Sequence, residues 1–169
     1  MSKIKVRFAA AKDMNGLAEL QIMFDRHFQA LDGAVSKRPS EKTMKRIGLI
    51  KKLNFSKKPL LRTLVAEAGG GGYPVGAISF YRGFTADTGE VFHIPYFFIR
   101  PEYRGSRAIL LLFNAVKKIA KKEKIGCLVF SVYGKNKSAA KLYEHVGAKY
   151  WADNDEHFMY LYLAPGVKF

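Results

Sequence analysis

The first part of the chain shows the period of a strand and then the period of helices. Residues 3–8 alternate charged and apolar side chains, which is typical of a half-buried strand. Asp13 precedes a helix-spaced apolar stripe that ends near residues 32–33, and Ser40 precedes a second, more basic stripe. The pattern predicts one strand followed by two helices that each begin at a capping side chain.

The middle of the chain has the pattern of three strands. Residues 60–68 and 74–84 are strand-like and are joined by a glycine-rich segment, which predicts an antiparallel hairpin and not a P-loop. Residues 90–99 are apolar on both faces, as expected of a central strand, although Pro95 cannot donate a hydrogen bond to a neighbouring strand. A proline at such a place indicates a bulge or a separation of the strands, and breaks of this kind concentrate at functional sites.

The last part of the chain adds a helix, a strand, a helix and two short strands. A turn around Arg104 leads into a third apolar-striped helix, and residues 127–133 form the next buried strand. A short fourth helix begins at Asn136 or Ser138, and two short strands follow it. If the two buried strands are parallel neighbours, the Arg104 turn and the start of the fourth helix fall on the same edge of a sheet.

The length of the chain and its single cysteine limit which classes of protein it can belong to. The chain of 169 residues is long enough for one domain, over residues 1–169, with a substantial core. Neither a signal-peptide core nor an apolar run of the roughly 20 residues that cross a bilayer is visible. The single cysteine, Cys127, lies in an apolar strand pattern, which indicates a buried thiol and a reducing compartment. We therefore expect a cytoplasmic protein without a membrane partner, either a monomer or a homodimer.

The charge balance is the strongest compositional signal. The formal net charge is +15, and a charge of this size attracts polyanions and repels lysine-rich partners. Basic side chains crowd one face of the second helix and the end of the third, at Lys42, Lys45, Arg46, Lys51, Lys52, Lys117, Lys118, Lys121, Lys122 and Lys124. The charge predicts an anionic partner, and a surface that is only solvated is the alternative.

The turn around Arg104 is a candidate site for a phosphate-bearing ligand. A turn that joins a buried strand directly to a helix collects backbone N–H groups and the positive end of the helix dipole. Arg104 and Arg107 add bidentate donors for phosphate oxygens. A plain surface turn with two arginines is the alternative.

The fourth helix carries a more specific pattern, Asn-x-x-Ala-x-x-x-Tyr-x-x-x-Gly, at Asn136, Ala139, Tyr143 and Gly147. With this motif, the turn and the order of its elements, the chain resembles the GNAT family of N-acetyltransferases over nearly its whole length. The turn departs from the family's Gln/Arg-x-x-Gly-x-Gly/Ala pattern. Arg107 stands where the family usually has glycine, and Ile109 stands where it has glycine or alanine.

The resemblance implies an α/β (α+β) fold, with a mixed, mostly antiparallel sheet of six to seven strands, a splayed central parallel pair and about four flanking helices. It also implies acetyl-CoA as co-substrate and no metal. Pantetheine would insert at the Pro95 break and pair with backbone groups of Phe97 and Ile99, which would polarise the thioester carbonyl. The pyrophosphate would be held by the backbone amides of Arg104, Gly105, Ser106, Arg107, Ala108 and Ile109.

The same resemblance implies catalytic roles. Asn136 would contact the pantetheine arm near Ala139, and Tyr143 would protonate the departing CoA thiolate. His93 holds the position of a glutamate base in the histone-modifying branch, and a histidine is a reasonable proton acceptor near neutral pH. Glu90 acting through water is the next candidate, and an acceptor that arrives as the free amine needs only a water chain. A purely structural histidine on an apolar strand is the alternative for His93.

The acceptor is an amine of unknown identity. The basic charge disfavours lysine-rich targets and favours an amine on an acidic or nucleic-acid-linked partner, such as aminoacyl-tRNA, modified nucleic acid or an acidic protein. In the family the final hairpin borders the acceptor site, so the acidic residues Asp153, Asp155 and Glu156 would attract an ammonium group there, unless they form only a polar turn. The second reading is a non-catalytic module that binds nucleic acid or protein on a scaffold whose cofactor turn has decayed at Arg107.

Overall fold

The structure is a computed structural model and describes residues 3–34, 36, 38–69, 72–150 and 158–163. These residues contain seven strands and four α-helices. The strands are β1 Ile4–Phe8, β2 Arg62–Ala68, β3 Pro74–Thr85, β4 Gly89–Ile99, β5 Cys127–Ser131, β6 Lys149–Tyr150 and β7 Phe158–Tyr162. The helices are α1 Met14–Leu31, α2 Glu41–Phe55, α3 Ala108–Lys122 and α4 Lys137–His145, and short 3-10 turns lie at Ala11–Asp13 and Pro101–Tyr103.

The strands follow the hydrogen-bonded order β1-β2-β3-β4-β5-β7-β6. β4 and β5 are parallel, while β1–β2, β5–β7 and β6–β7 are antiparallel. The parallel register runs from Val91 opposite Cys127 to Ile94 opposite Phe130, so it ends immediately before Pro95. A proline has no N–H to continue such a ladder. The predicted mixed sheet with one central parallel pair is confirmed.

The chain forms two compact units. The amino-terminal unit comprises Met1–Ser79 and Tyr96–Ala115, and the carboxyl-terminal unit comprises Phe80–Pro95 and Val116–Phe169. In the amino-terminal unit α1 packs on the sheet through Leu17 and Leu20, which join Val65, Ala77 and Phe98 in one buried cluster. The single domain expected from chain length stays a prediction.

The carboxyl-terminal unit has its own buried cluster of Val91, Cys127 and Val129 on one face of the parallel pair. Phe80 and Phe92 meet at 5.1 Å between ring centroids, and both are fully buried. Burial raises the pKa of the Cys127 thiol to about 11, so little thiolate exists at neutral pH. The interpretation of Cys127 as a buried side chain is confirmed.

The helix starts follow the sequence with one difference. Ser40 Oγ accepts the Thr43 N–H at 3.1 Å, which is the predicted cap of α2. Asp13 precedes α1 as predicted, but its side chain makes no capping hydrogen bond to that helix. Its carboxylate is buried and accepts two hydrogen bonds from Arg7 at 2.7 and 2.8 Å, and the guanidinium lowers its pKa. Oδ2 also accepts the Ala10 N–H at 2.7 Å, so both carboxylate oxygens are bound to residues that precede α1, which explains why the cap is lost.

Candidate functional site

The turn between β4 and α3 is anchored within the amino-terminal unit by Arg100. This side chain donates to the Pro74 carbonyl at 3.1 Å and to the Glu19 carboxylate at 2.7 Å. Its guanidinium also lies 5.1 Å from the centroid of the Tyr73 ring. The backbone N–H of Arg100 donates to Val75 at 2.9 Å, so the start of the turn is fixed to β3 and α1.

Three of the six backbone amides expected to bind pyrophosphate are used inside the turn. The N–H of Arg104 donates to Pro101 at 3.2 Å, and that of Ser106 donates to Tyr103 at 3.0 Å. Ser106 Oγ donates to the Tyr103 carbonyl at 2.6 Å and accepts the Ala108 N–H at 3.2 Å. These bonds close the turn on itself, so Arg104, Ser106 and Ala108 have no spare backbone donor.

The three remaining amides, together with that of Leu110, stay available at the end of the turn and in the first turn of α3. Within the part of the chain that the structure describes, the N–H groups of Gly105, Arg107, Ile109 and Leu110 donate no hydrogen bond. α3 is fifteen residues long, and the first N–H groups of such a helix carry partial positive charge. The arrangement suits an anion with several acceptor oxygens.

The two arginines of the turn differ in their surroundings. Arg104 lies with its guanidinium 5.3 Å from the Phe98 ring centroid and donates weakly to the Ile99 carbonyl at 3.4 Å. Arg107 is exposed and forms no ion pair with a described residue. Its backbone N–H is also available, so the residue that replaces the expected glycine leaves the donors of the turn open.

Hydrogen bonds at the start of α4 are made between residues of the helix start itself. Asn136 is 9% exposed, and its Oδ1 accepts the Ala139 N–H at 3.2 Å and the Ser138 hydroxyl at 2.9 Å. Asn136 is therefore the cap that the sequence left open between Asn136 and Ser138. Its amide nitrogen makes no hydrogen bond to the described residues, which leaves one donor for a ligand.

Tyr143 lies on the buried side of α4. It is 5% exposed, and its ring stacks on Phe130 with the centroids 4.5 Å apart. Burial raises the pKa of its hydroxyl far above the ordinary value of a tyrosine, because water no longer stabilises the phenolate. The hydroxyl is therefore protonated at neutral pH. α4 ends at His145, and Gly147, two residues later, has a φ of +93°.

His93 packs against β3 in the carboxyl-terminal unit. Its ring stacks on Tyr81 with the centroids 5.1 Å apart and an interplanar angle of 13°. A Cβ added at Gly83 would lie 2.5 Å from the Cδ2 atom of His93, so only glycine leaves room for the imidazole there. Burial lowers the pKa of His93, which favours the neutral imidazole that a base requires.

Glu90 belongs to a different cluster. Its carboxylate accepts two hydrogen bonds from Arg82 at 2.9 and 3.1 Å, and Arg82 also reaches Glu123 at 3.1 Å. Glu90 and His93 are three residues apart on one strand, which places their side chains on opposite faces of the sheet. The structure therefore does not bring the two candidate bases together.

Comparison with known families identifies the fold. The model of the Acetyltransferase (GNAT) family matches residues 23–148, which is most of the chain. The chain belongs to the GNAT family. No curated protein sequence matches it.

Solved structures show the same fold. A GNAT-family acetyltransferase from Staphylococcus aureus Mu50 superposes with a TM-score of 0.73 at 15% identity, over 96% of this chain and 100% of the other. PaiA N-acetyltransferase from Thermoplasma acidophilum, solved with coenzyme A, gives 0.71 at 19% identity, over 95% and 99%. Ribosomal-protein-alanine N-acetyltransferase from Brucella melitensis biovar Abortus 2308 gives 0.63 at 19% identity, over 90% and 96%.

The remaining predicted site residues of this GNAT chain lie on β4 or outside the described residues. Phe97 is half-buried and Ile99 is buried on β4, within the amino-terminal unit. Asp153, Asp155 and Glu156, the predicted acceptor-side residues, lie outside the described residues. Among the residues that are described, no group of three His, Cys, Asp or Glu side chains could hold a metal ion. No helix in the same part of the chain has the length and apolar character to cross a membrane.

Two buried polar side chains of the GNAT chain were missed by the sequence reasoning. Asp25 on α1 is 6% exposed, and the hydroxyl of Tyr96 on β4 is buried. Both belong to the amino-terminal unit. The available signal was a pair of polar residues, Gln21 and Asp25, one helical turn apart beside the apolar stripe of α1.

Proposed function

We propose that this GNAT protein transfers an acetyl group from acetyl-CoA to an amine that attacks the thioester directly. The observation that carries the proposal is the start of α3, where four backbone N–H groups have no partner in the described chain. The exposed side chains of Arg104 and Arg107 lie beside those groups in sequence. Backbone donors with bidentate cations are what a pyrophosphate needs. The coenzyme A complex of the similar PaiA structure supports this choice of ligand.

The proposed chemistry assigns each proton a destination. The amine nitrogen bonds to the thioester carbon and gives a proton to the base, the carbon–sulfur bond breaks, and Tyr143 gives its proton to the sulfur as CoA leaves. Backbone groups at Phe97 and Ile99 polarise the carbonyl. Asn136 offers its amide nitrogen to the pantetheine arm near Ala139. Tyr143 holds the tyrosine position of the family motif, and its hydroxyl is protonated at neutral pH, so it carries the proton that the sulfur needs.

We assign the base to His93 in preference to Glu90. The Glu90 carboxylate already accepts two hydrogen bonds from Arg82, whereas burial alone lowers the pKa of His93. A histidine must be neutral to accept a proton, so kcat/KM falls as pH drops through the lowered pKa of His93, below its ordinary value near 6.5. We expect the His93→Gln variant to lose this fall of kcat/KM at low pH. If the fall persists in the variant, another group is the base.

The acceptor class follows from charge. A formal net charge of +15 favours an amine carried by an acidic or nucleic-acid-linked partner over a lysine-rich one. The exposed lysines of α2, Lys42, Lys45, Lys51 and Lys52, supply such an electrostatic surface. The similar Brucella structure is named as a ribosomal-protein-alanine N-acetyltransferase, and an amine on a protein is compatible with the proposed class of acceptor.

Calorimetric titration with acetyl-CoA tests the function. We expect saturable binding by the wild type and much weaker binding by the double variant R104Q/R107Q, because both phosphate-binding side chains lose their charge. Thermal unfolding of the two proteins is the control for folding. If wild-type protein gives no heat and no thermal shift at millimolar acetyl-CoA, the enzyme proposal is wrong and a non-catalytic binding module takes its place.

A further inference from the structure

Asp25 has one carboxylate oxygen in use and one without a partner. Its Oδ1 accepts a hydrogen bond from Gln21 Nε2 at 3.1 Å and also forms an ion pair with Arg46 of α2. Its Oδ2 is buried and has no hydrogen-bond partner among the described residues. A carboxylate oxygen is a strong acceptor, so its burial without a donor is costly.

The Tyr96 hydroxyl is the second such group. It is buried, and it too has no hydrogen-bond partner in the described part of the chain. Its ring packs 4.8 Å from that of Phe24, the residue before Asp25, and burial together with the negative charge of Asp25 raises the pKa of Tyr96. Two neighbouring polar groups, on α1 and on β4, thus lack partners in the same unit.

The surroundings of these groups are aromatic. The ring of Phe24, the residue before Asp25, lies 4.8 Å from Tyr96 and 5.9 Å from Phe98 between centroids. Phe28, one turn further along α1, lies 4.6 Å from Phe24. Aromatic faces attract cations, and a buried carboxylate does so more strongly.

We propose that Asp25 and Tyr96 form the subsite that binds the primary ammonium group of an alkylamine acceptor, held by the free Asp25 oxygen and the Tyr96 hydroxyl among these rings. The inference deepens the proposed function and rests on it for the identification of the ligand as the acceptor. Arg46 bonds only to Oδ1 of this carboxylate, so the lone pairs of Oδ2 stay available to a second donor. A neutral ligand would leave the carboxylate without a charged partner at Oδ2.

Binding of n-butylammonium, with neutral 1-butanol as the matched probe, tests the subsite by NMR titration of the whole protein. We expect the wild type to bind the ammonium and to ignore the alcohol. Asp25→Asn keeps an oxygen for Arg46 but removes the charge, and should raise the dissociation constant roughly 10- to 100-fold. Tyr96→Phe removes one hydroxyl and should raise it about 5-fold. Glu41→Gln, with the same chemical change as Asp25→Asn at an exposed position of the same unit, should bind like the wild type.

The outcomes separate this subsite from a plain structural defect. If Tyr96→Phe gains thermal stability and binds n-butylammonium unchanged, the hydroxyl is only an unpaired group and the proposal is wrong. Equal binding of butylammonium and butanol by the wild type also overturns it. If Asp25→Asn does not fold, Tyr96→Phe and the pair of probes decide the question.

Acetyl-CoA titration of the same samples distinguishes the two proposals. Binding of acetyl-CoA without binding of butylammonium overturns the subsite and leaves the proposed function intact. Asp25-dependent binding of butylammonium without any binding of acetyl-CoA overturns the proposed function and supports the cation subsite.

Discussion

The Arg104 turn and the α4 helix carry the two motifs of the chain, and they differ in how their polar groups are used. The turn departs from its family pattern at Arg107 and Ile109, yet it leaves four backbone donors and an exposed arginine available. α4 matches its pattern completely, yet the Oδ1 of Asn136 already accepts the capping hydrogen bond from Ala139, and Tyr143 is buried against Phe130. Agreement with a motif and readiness to bind a ligand are therefore separate properties.

The difference has a physical origin. In the proposed function, the turn binds phosphate through its backbone, so a change of side chain leaves those N–H groups in place. The proposed roles in α4 belong to side chains that also hold the helix in place, so one residue type serves two purposes. We therefore expect substitutions in α4 to affect chemistry or stability, and substitutions in the turn to affect binding.

The largest effect is expected for Tyr143→Phe. The ring keeps its contact with Phe130, and only the hydroxyl with the raised pKa is lost. Loss of the general acid should lower kcat on the order of 10²-fold, measured as CoA thiol release at saturating acetyl-CoA. The dissociation constant of acetyl-CoA should change little.

The control for this variant is Glu144→Gln, a change at the next, exposed position of α4. Thermal unfolding should show both variants folded. An unchanged kcat in Tyr143→Phe would show that Tyr143 has only a structural role, and α4 would then supply no general acid.

The second-largest effect, an increase of about 10-fold in the dissociation constant of acetyl-CoA, is expected for Arg107→Gln. The guanidinium is exposed and has no ion pair with a described residue, so it is available for a phosphate group. Its loss should raise the dissociation constant of acetyl-CoA about 10-fold at low salt and less at high salt, because screening weakens the interaction. Arg107→Lys should keep most of the affinity, and Lys42→Gln controls for the loss of one exposed charge.

Arg107→Gly separates charge from crowding. If the side chain crowds the pyrophosphate, glycine at this position should tighten binding of acetyl-CoA. If the side chain supplies charge, as the open backbone donors indicate, glycine should weaken binding like glutamine does. Tighter binding by the glycine variant would show that the turn has lost function relative to its family.

Much of the fold was predictable from the sequence because its signals are local. Alternation predicted β1, the apolar runs predicted β4 and β5, and Ser40 predicted the start of α2. The missing cap at Asp13 was not predictable, because it depends on Arg7, which β1 brings alongside. Which amides of the turn stay open also depends on a local choice, the two hydrogen bonds of Ser106.

The candidate site was predictable in part for the same reason. Tyr143 and Asn136 lie in one short motif, so their spacing is visible in the sequence. Asp25 and Tyr96 are far apart in the chain and meet only through the packing of α1 on the sheet. The opposite faces of Glu90 and His93 follow from their odd spacing on β4, a signal that was present in the sequence.

The smallest effect, and the sharpest test of the comparison, concerns Asn136. Asn136→Ala removes the oxygen that caps α4 and should lower the free energy of unfolding by about 1 kcal/mol in urea denaturation. Asn136→Asp keeps an acceptor oxygen at the cap and places a negative charge at the helix start, so stability should be retained. Asp lacks the amide nitrogen, however, and acetyl-CoA should bind this variant about 5-fold more weakly if that nitrogen donates to pantetheine. Unchanged binding by Asn136→Asp would limit Asn136 to the cap, and the motif residue would then serve the fold alone.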